Sequence, residues 1–347
     1  MVKNIEKLIA KEIGKCDFEV FLSERAEFGH YSTNAAFKLA LIVKKSPFEV
    51  AKDLAGKLGN SSHGSESIFA KVEAVQPGFI NFWLKPKILQ DNLKEILKLK
   101  DNYGKSDDFK GKKIMIEFTD PNPFKEFHIG HLMSNSIGEA ISRIFEWNGA
   151  KVKRANYQGD VGLHVAKAVW GLLRAKVKEI SIKEMADAYV TGAKAYDSDD
   201  EVKEQINSIN KEIYNQSNKE ISKIYKIGRK LSLDYFESIY KKLGTKFDYY
   251  FFESETGGIG KKIVEENIGN PSMGSGPAVF EKSDGAVVFK GEKYGLHTRV
   301  FINSEGLPTY EAKEIGLFEM KTREVSCDKY FSITGNEIND YFRVLIG

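Results

Sequence analysis

Cysteine is nearly absent from this chain of 347 residues, with Cys16 and Cys327 the only two. Two thiols so far apart suit a reducing cytosol, hence a cytoplasmic protein, and exclude a Cys-rich zinc module. Long apolar runs are also lacking. None approaches the roughly 20 residues that span a bilayer, so no membrane partner is expected. The opening Met1-Val2-Lys3-Asn4-Ile5-Glu6 brings an acid early and has no apolar segment of a secretory signal. An excess of one charge is missing too: 52 Lys and Arg against 49 Asp and Glu leave +3. A dedicated nucleic-acid binder carries a stronger or more clustered basic surplus, so this balance allows an RNA partner without indicating one. No internal repeat is found.

What is present is the composition of a soluble globular protein, 41% hydrophobic and 29% charged, at a length that calls for two or more domains. Ile5, Leu8, Ile9 and Ile13 share a helical face. Thr33 to Val43 reads as a second helix, with Ala36, Leu39, Ala40 and Val43 on its apolar side. Pro47 starts a third through Val50, Leu54 and Leu58. Asn60 to Ser65 is a loop by composition. Ile68–Val75 and Gly78–Trp83 read as strands around Gln76-Pro77-Gly78. The first hundred residues thus form a small α+β unit. The polar stretch Lys100 to Asp108 marks the domain boundary, dividing 1–105 from 106–347, although its composition is also that of a long surface loop.

Beyond it, Lys113 to Phe118 is a short strand-type run. A turn with Pro121 and Pro123 follows, then two histidines, then helical spacing from Leu132 to Trp147. Ile137, Ile141, Ile144 and Phe145 are expected as the core face of that helix, which Asn148-Gly149 ends. Val152 to Asn156 is the next strand. Strand, helix and strand predict a parallel pair with a right-handed crossover, the start of a doubly wound, Rossmann-like parallel sheet that binds nucleotides. About 170–246 reads as a helical insertion packed through Met185, Ala188, Tyr189, Ile206, Ile209, Ile213, Ile221, Ile224 and Tyr225, its charged faces in solvent. Strand character returns at Phe247–Phe252, Ala286–Lys290, Arg299–Ile302 and Tyr330–Thr334.

The chemistry is concentrated in His128-Ile129-Gly130-His131. At a helix start, residues three apart share a face, so both imidazoles can address one ligand. Gly130 lets a nucleotide lie against the backbone. Free amides and the helix dipole favour a phosphate there, and two imidazole donors would stabilise charge growing on it. A His-x-x-His pair alone is equally a chance surface pair. As a zinc site it lacks a third ligand with suitable spacing unless His164 is recruited, and no structural metal is expected. The setting of strand, Pro-containing turn, Lys125 and amphipathic helix favours the nucleotide reading.

Glu117-Phe118-Thr119-Asp120-Pro121-Asn122-Pro123-Phe124-Lys125-Glu126-Phe127-His128-Ile129-Gly130-His131-Leu132 resembles the signature of arginyl-tRNA synthetases, class I enzymes. Ile137 to Ala140, Asn156 to Gly162 and Gly306 to Glu314 continue the likeness, the last resembling the family's Tyr-x-x-Arg-Asp segment. Phe28 to Ala36 and Pro77 to Phe82 resemble its N-terminal, tRNA-contacting domain. The resemblance implies an arginine–tRNA ligase that activates L-arginine with ATP, as Mg²⁺-ATP, to arginyl-adenylate and transfers it to tRNA(Arg), as a monomer. It implies that His128, His131 and Lys125 serve catalysis and, with Gly130, ATP binding. Thr119 and Asn122 would hold the backbone groups of arginine, while Glu117, Tyr310 and Glu314 read its guanidinium, a five-donor fork suited to carboxylates and a phenol. By themselves Glu117 is a surface acid at a strand end and Tyr310 a core aromatic. Asp160 and Gly162 are candidates only as a turn at the end of a strand, and His164 reads as structural.

Three departures from the family stand out. Glu314 replaces its Asp and Lys313 its Arg. An expected Gln is replaced at Ile338, with Asn336 or Asn339 as substitutes. The chain reads as truncated before a Lys-Met-Ser-Lys-type loop and an anticodon-binding domain, so weak or absent aminoacylation is expected from these residues alone. Rival readings are another nucleotidyltransferase or class I synthetase with this His motif, and a non-catalytic tRNA-binding fragment or paralogue.

Overall fold

A computed structural model describes residues 2–14, 16–60, 67–176, 179–269 and 279–346. The loop expected at 60–65 lies, from residue 61, outside the described residues. The chain divides into two units, Met1–Gly104 and Lys105–Gly347.

In the first unit the helical spacing near the start forms α1 (Val2–Ile13), which buries Ile5 and Ile9. Then come β1 (Val20–Leu22), β2 (Tyr31–Thr33), α2 (Ala35–Val43), α3 (Pro47–Asn60), β3 (Phe69–Val75), β4 (Phe79–Leu84) and α4 (Pro86–Leu99). The strands form an antiparallel sheet in the order β1-β2-β4-β3. Its core joins Ala36, Leu54, Ile80 and Phe82 to the buried residues of α1. On α2 the expected Val43 is exposed, with Leu41 and Ile42, and the buried side is Ala35, Ala36 and Ala40. Small residues there let the helix lie close to the sheet. Asn34 sits before α2, where its side chain accepts the Glu19 amide at 2.9 Å.

The second unit is built on β5 (Lys113–Glu117), α5 (Ile129–Trp147) and β6 (Lys151–Gln158). Helices α6 (Leu163–Ala175), α7 (Ile182–Ser198), α8 (Asp200–Asn215) and α9 (Lys219–Leu243) precede β7 (Tyr249–Phe252) and α10 (Glu253–Glu266). A separate antiparallel sheet of β8 (Glu281–Ser283), β9 (Ala286–Phe289) and β10 (Arg299–Ile302) follows, then α11 (Tyr310–Glu324), β11 (Lys329–Ser332) and α12 (Asn339–Ile346). The main sheet is parallel, in the order β11-β5-β6-β7. Successive connections run one way from β5 to β7, and the chain then returns to place β11 on the other side of β5. That reversal is the switch point at whose carboxyl edge open α/β sheets bind ligands. Alternate residues of β5 serve opposite layers, as the period of two demands: Ile114 and Ile116 pack toward α5 and α9, Met115 toward α11.

All the apolar positions read in the insertion belong to one cluster, which also takes in Phe124. The reading of α5 needs correction. Ile141 and Phe145 do pack on the core, but Ile144 is 61% exposed and Ile137 is also exposed. The buried face is His131, Asn135, Gly138 and Ser142. Apolar periodicity misplaced it because the helix approaches Phe118 too closely for large side chains. A Cβ on Gly138 would stand 2.2 Å from the Phe118 ring. G138V is therefore expected to destabilise the fold by about 3 kcal/mol or to displace α5, which urea denaturation measures. No described helix is long and apolar enough to cross a membrane.

Candidate functional site

The segment joining β5 to α5 is strained where function would be placed. Thr119, Asp120 and Phe124 have φ of 82°, 46° and 67°, each a costly conformation for a residue with a Cβ. Surrounding groups hold it there. The Thr119 amide donates to Ser134 Oγ at 3.0 Å, Asn135 Nδ2 donates to Thr119 Oγ1 at 3.0 Å, and Asn156 Nδ2 donates to the Phe118 carbonyl at 3.0 Å. The Tyr157 amide donates to Asp120 Oδ1 at 2.8 Å. Burial, then the nearby Glu117, push the Asp120 carboxyl well above the usual carboxylate range. Thr119 is only 3% exposed and turned into α5, so it shapes the loop rather than facing a ligand.

The two histidines cap α5 with each other. His128 Nδ1 accepts the Gly130 amide at 3.1 Å, and His131 Nδ1 accepts the His128 amide at 3.2 Å. Their rings stack with centroids 3.6 Å apart. An Nδ1 that accepts leaves the proton on Nε2, so each ring keeps one donor free of the helix. Burial, followed by His128 and Lys125, lowers His131 to about 4. At neutral pH it is an uncharged N–H donor.

Glu117 is buried, not on the surface. Its Oε2 lies 2.7 Å from Lys321 Nζ, both side chains 5% exposed, and its Oε1 accepts from Ser332 Oγ at 3.0 Å. Lys321 stands two helical turns after Glu314 on α11, so both face the same way. Together with Phe318, Tyr330, Ser332, Asn339 and Phe342 they line a cleft of about 750 Å³. Glu314 has neither hydrogen bond nor ion pair among the described residues. Burial, then Glu117, raise it to about 7. Tyr310, at the start of α11, is 64% exposed and therefore no core residue. Asn339 lines the cleft; Asn336 and Ile338 do not.

On the other side of α11, Lys313 Nζ lies 2.5 Å from Glu253 Oε2, a pair shielded from solvent. The Tyr310 ring is 5.2 Å from the same ammonium. Lys125 Nζ stands 4.8 Å from the ring of Tyr189, on the insertion. Asn122 Oδ1 fills the space beside Gly159, where a Cβ would come within 2.3 Å of it.

Asp160, a candidate from its turn, is not available to a ligand. Its side chain is fully buried and accepts from the Ser254 amide at 2.9 Å, Ser254 Oγ at 2.8 Å, Arg229 Nε at 2.7 Å and Tyr225 Oη at 3.4 Å. It clamps α9 and α10 to the end of β6. Gly162, φ 115°, precedes α6. His164 Nε2 lies 2.8 Å from the Gly159 carbonyl, and burial lowers it to about 4.

The structure thus brings His128 and His131 to the start of α5 and Glu314 to the cleft, with Glu117 behind it on Lys321 and Ser332, and leaves Thr119 and Asp160 as supports. Sequence reasoning missed Lys321, Ser332 and Glu253. Only Lys321 carried a signal, a lysine seven residues after Glu314 on a helix.

Two family profiles match this chain. The one described as tRNA synthetases class I (R), catalytic domain, matches residues 92–346, and that of the arginyl tRNA synthetase N-terminal domain matches residues 3–84. The arginine–tRNA ligase of Thermotoga petrophila is 29% identical over 97% of this chain and 61% of its own length. That of Thermococcus sibiricus is 30% identical over 97% and 55%. Among solved structures, arginyl-tRNA synthetase from Plasmodium falciparum superposes with a TM-score of 0.70 at 18% identity, covering 99% of this chain and 61% of that one. The Thermus thermophilus enzyme gives 0.65 at 22%, covering 93% and 53%. The chain spans about three-fifths of the curated relatives it matches.

Proposed function

This chain belongs to the arginyl-tRNA synthetase family of class I synthetases, and from that premise we propose that it serves as an arginine–tRNA ligase, activating L-arginine with Mg²⁺-ATP for transfer to tRNA(Arg). In that reaction an arginine carboxylate oxygen bonds to the α-phosphorus of ATP while the bond to the pyrophosphate oxygen breaks. The free Nε2–H groups of His128 and His131 donate to phosphate oxygens, and Gly130 leaves room for the nucleotide. Being neutral, the His131 imidazole brings no charge that must first be desolvated. Lys125, close enough to act on both His131 and His164, adds a cation to the phosphate region. Thr119 supports the loop that carries Asn122, whose amide in this reading meets the amino-acid backbone. Residues 1–104 are the tRNA-contacting unit in this reading.

The observation that carries the assignment is Glu314: a half-buried acid without a hydrogen-bond or ion-pair partner among the described residues, in a cleft at the sheet's switch point, beside the strand that leads to the histidines. Such a group favours a cation. Glu117 lies behind the cleft lining, held by Lys321 and Ser332, and Tyr310 begins α11 about one turn before Glu314. The test is binding of arginine, lysine and cysteine with an ATP analogue present. Arginine-selective binding is expected, and equal binding of lysine would sink the assignment. ATP–pyrophosphate exchange with added tRNA then separates an active chain from a binding module.

A pH dependence follows. A cation is held by ionised Glu314, whose free carboxyl titrates at about 7. Arginine affinity should be at its plateau above that value and fall about tenfold per unit below it. E314Q should lower affinity on the order of a hundredfold and flatten the profile, as calorimetric titration from pH 5.5 to 8.5 would record.

A further inference from the structure

The cleft contains a cation of its own. Two carboxylates that face each other in a buried site cannot both ionise without a counterion; one takes a proton instead. Here Lys321 Nζ sits 2.7 Å from Glu117 Oε2, and Ser332 fixes the other oxygen at 3.0 Å. Glu117 is thereby neutralised internally and turned from the open side, while Glu314 stays unpaired. Resting on the reading of this cleft as the arginine side-chain pocket, we infer that Lys321 sets its selectivity for a cationic side chain over a neutral isostere, by satisfying Glu117 and leaving Glu314 as the free carboxylate.

The chemistry of the isostere explains why this matters. Citrulline has the shape of arginine but carries a urea oxygen where arginine has an N–H donor. An ionised Glu314 repels that oxygen and pairs with guanidinium. A protonated Glu314 donates to the urea oxygen and no longer attracts the cation. Selectivity therefore follows the charge state of Glu314, and its neighbours set that state. Glu117 on β5, Asp120 after it and Glu253 on α10 push its proton affinity up, as does burial; Lys321 on α11 pulls it down. Tyr341 on α12 and Tyr157 on β6 face the same charge as neutral phenols, each held above the ordinary phenol range by burial. The Lys313 ammonium is committed to Glu253. Lys321 is thus the cation placed to keep Glu314 ionised near neutral pH.

The experiment measures the arginine-to-citrulline affinity ratio against pH by competition titration with an ATP analogue. In the unaltered protein the ratio should collapse as pH falls through about 7. In K321M the midpoint should rise by about one unit or more, the scale of a nearby charge, so the ratio at pH 7.5 drops about tenfold. K321R should restore the original midpoint. Because K321M strands Glu117, the coupling is measured again as E117Q against E117Q/K321M, where no carboxylate is left unpaired by the lysine's loss. The double variant should titrate about one unit above E117Q. Coincident profiles for K321M and the unaltered protein, or for E117Q and the double variant, would overturn the role of Lys321. Absence of arginine-selective binding by the unaltered protein would instead overturn the reading of the cleft itself.

Discussion

H131A is expected to reduce tRNA-dependent ATP–pyrophosphate exchange by about 10²–10³-fold relative to the unaltered chain. That is the scale of removing one preorganised donor from a site where charge develops. The substitution acts twice. It removes the Nε2–H donor, and it deletes the Nδ1 that accepts the His128 amide at 3.2 Å, so the first turn of α5 loses half its cap. The two effects separate in H128N and H131N. Asparagine supplies a capping oxygen of good rank but no donor at the reach of Nε2. If catalysis is the main role, both asparagine variants should keep the melting temperature and lose exchange nearly as far as the alanine variant. Full exchange in H131N would mean that the histidines cap the helix and do no more. Since His131 titrates at about 4, its contribution should be independent of pH from 6 to 8. Any slope there belongs to Glu314.

D160A is expected to cost about 3–5 kcal/mol of stability, the range for removing one partner of a buried pair. Asp160 receives four hydrogen bonds from two elements, and its loss leaves the Ser254 amide and the Arg229 guanidinium without their acceptor. Arg229 retains about a quarter of its side-chain exposure, so water can recover part of its loss and the lower end of the range is the better guide. D160N, still able to accept from Ser254, should cost less. Urea unfolding gives the magnitude. Limited proteolysis should show earlier cleavage within α9 of D160A if the residue ties the insertion to the sheet. A variant as stable as the original would return Asp160 to the status of an ordinary turn.

Asp160 and α5 show where reading a sequence succeeds and where it stops. The strand 113–117, the helix after it and the helical insertion were legible because each follows a period: two for β5, about 3.6 for the helices. The histidine pair was legible because its chemistry is local; both caps and both rings lie within one turn. The buried face of α5 was not. Its apolar side chains suggested the face of Ile137 and Ile144, yet the helix lies on its small and polar face, because Phe118 leaves room there only for glycine. Thr119 was read as a ligand group through the family resemblance, and Asp160 was a candidate only as a turn at a strand end. Their real partners, Asn135, Arg229 and Ser254, are supplied by other elements.

The sequence by itself determined the parallel α/β class, the place of the histidine-bearing loop and the family of the chain, since these depend on periodicity and on contiguous residues. Only the tertiary structure decided what each acid is free to do. Glu117 and Glu314 look alike in the sequence, but β11 and α11 bring Ser332 and Lys321 to the first and nothing to the second. Whether a buried charge is satisfied depends on groups within a few ångströms of it, and here those groups lie about 200 residues further along the chain.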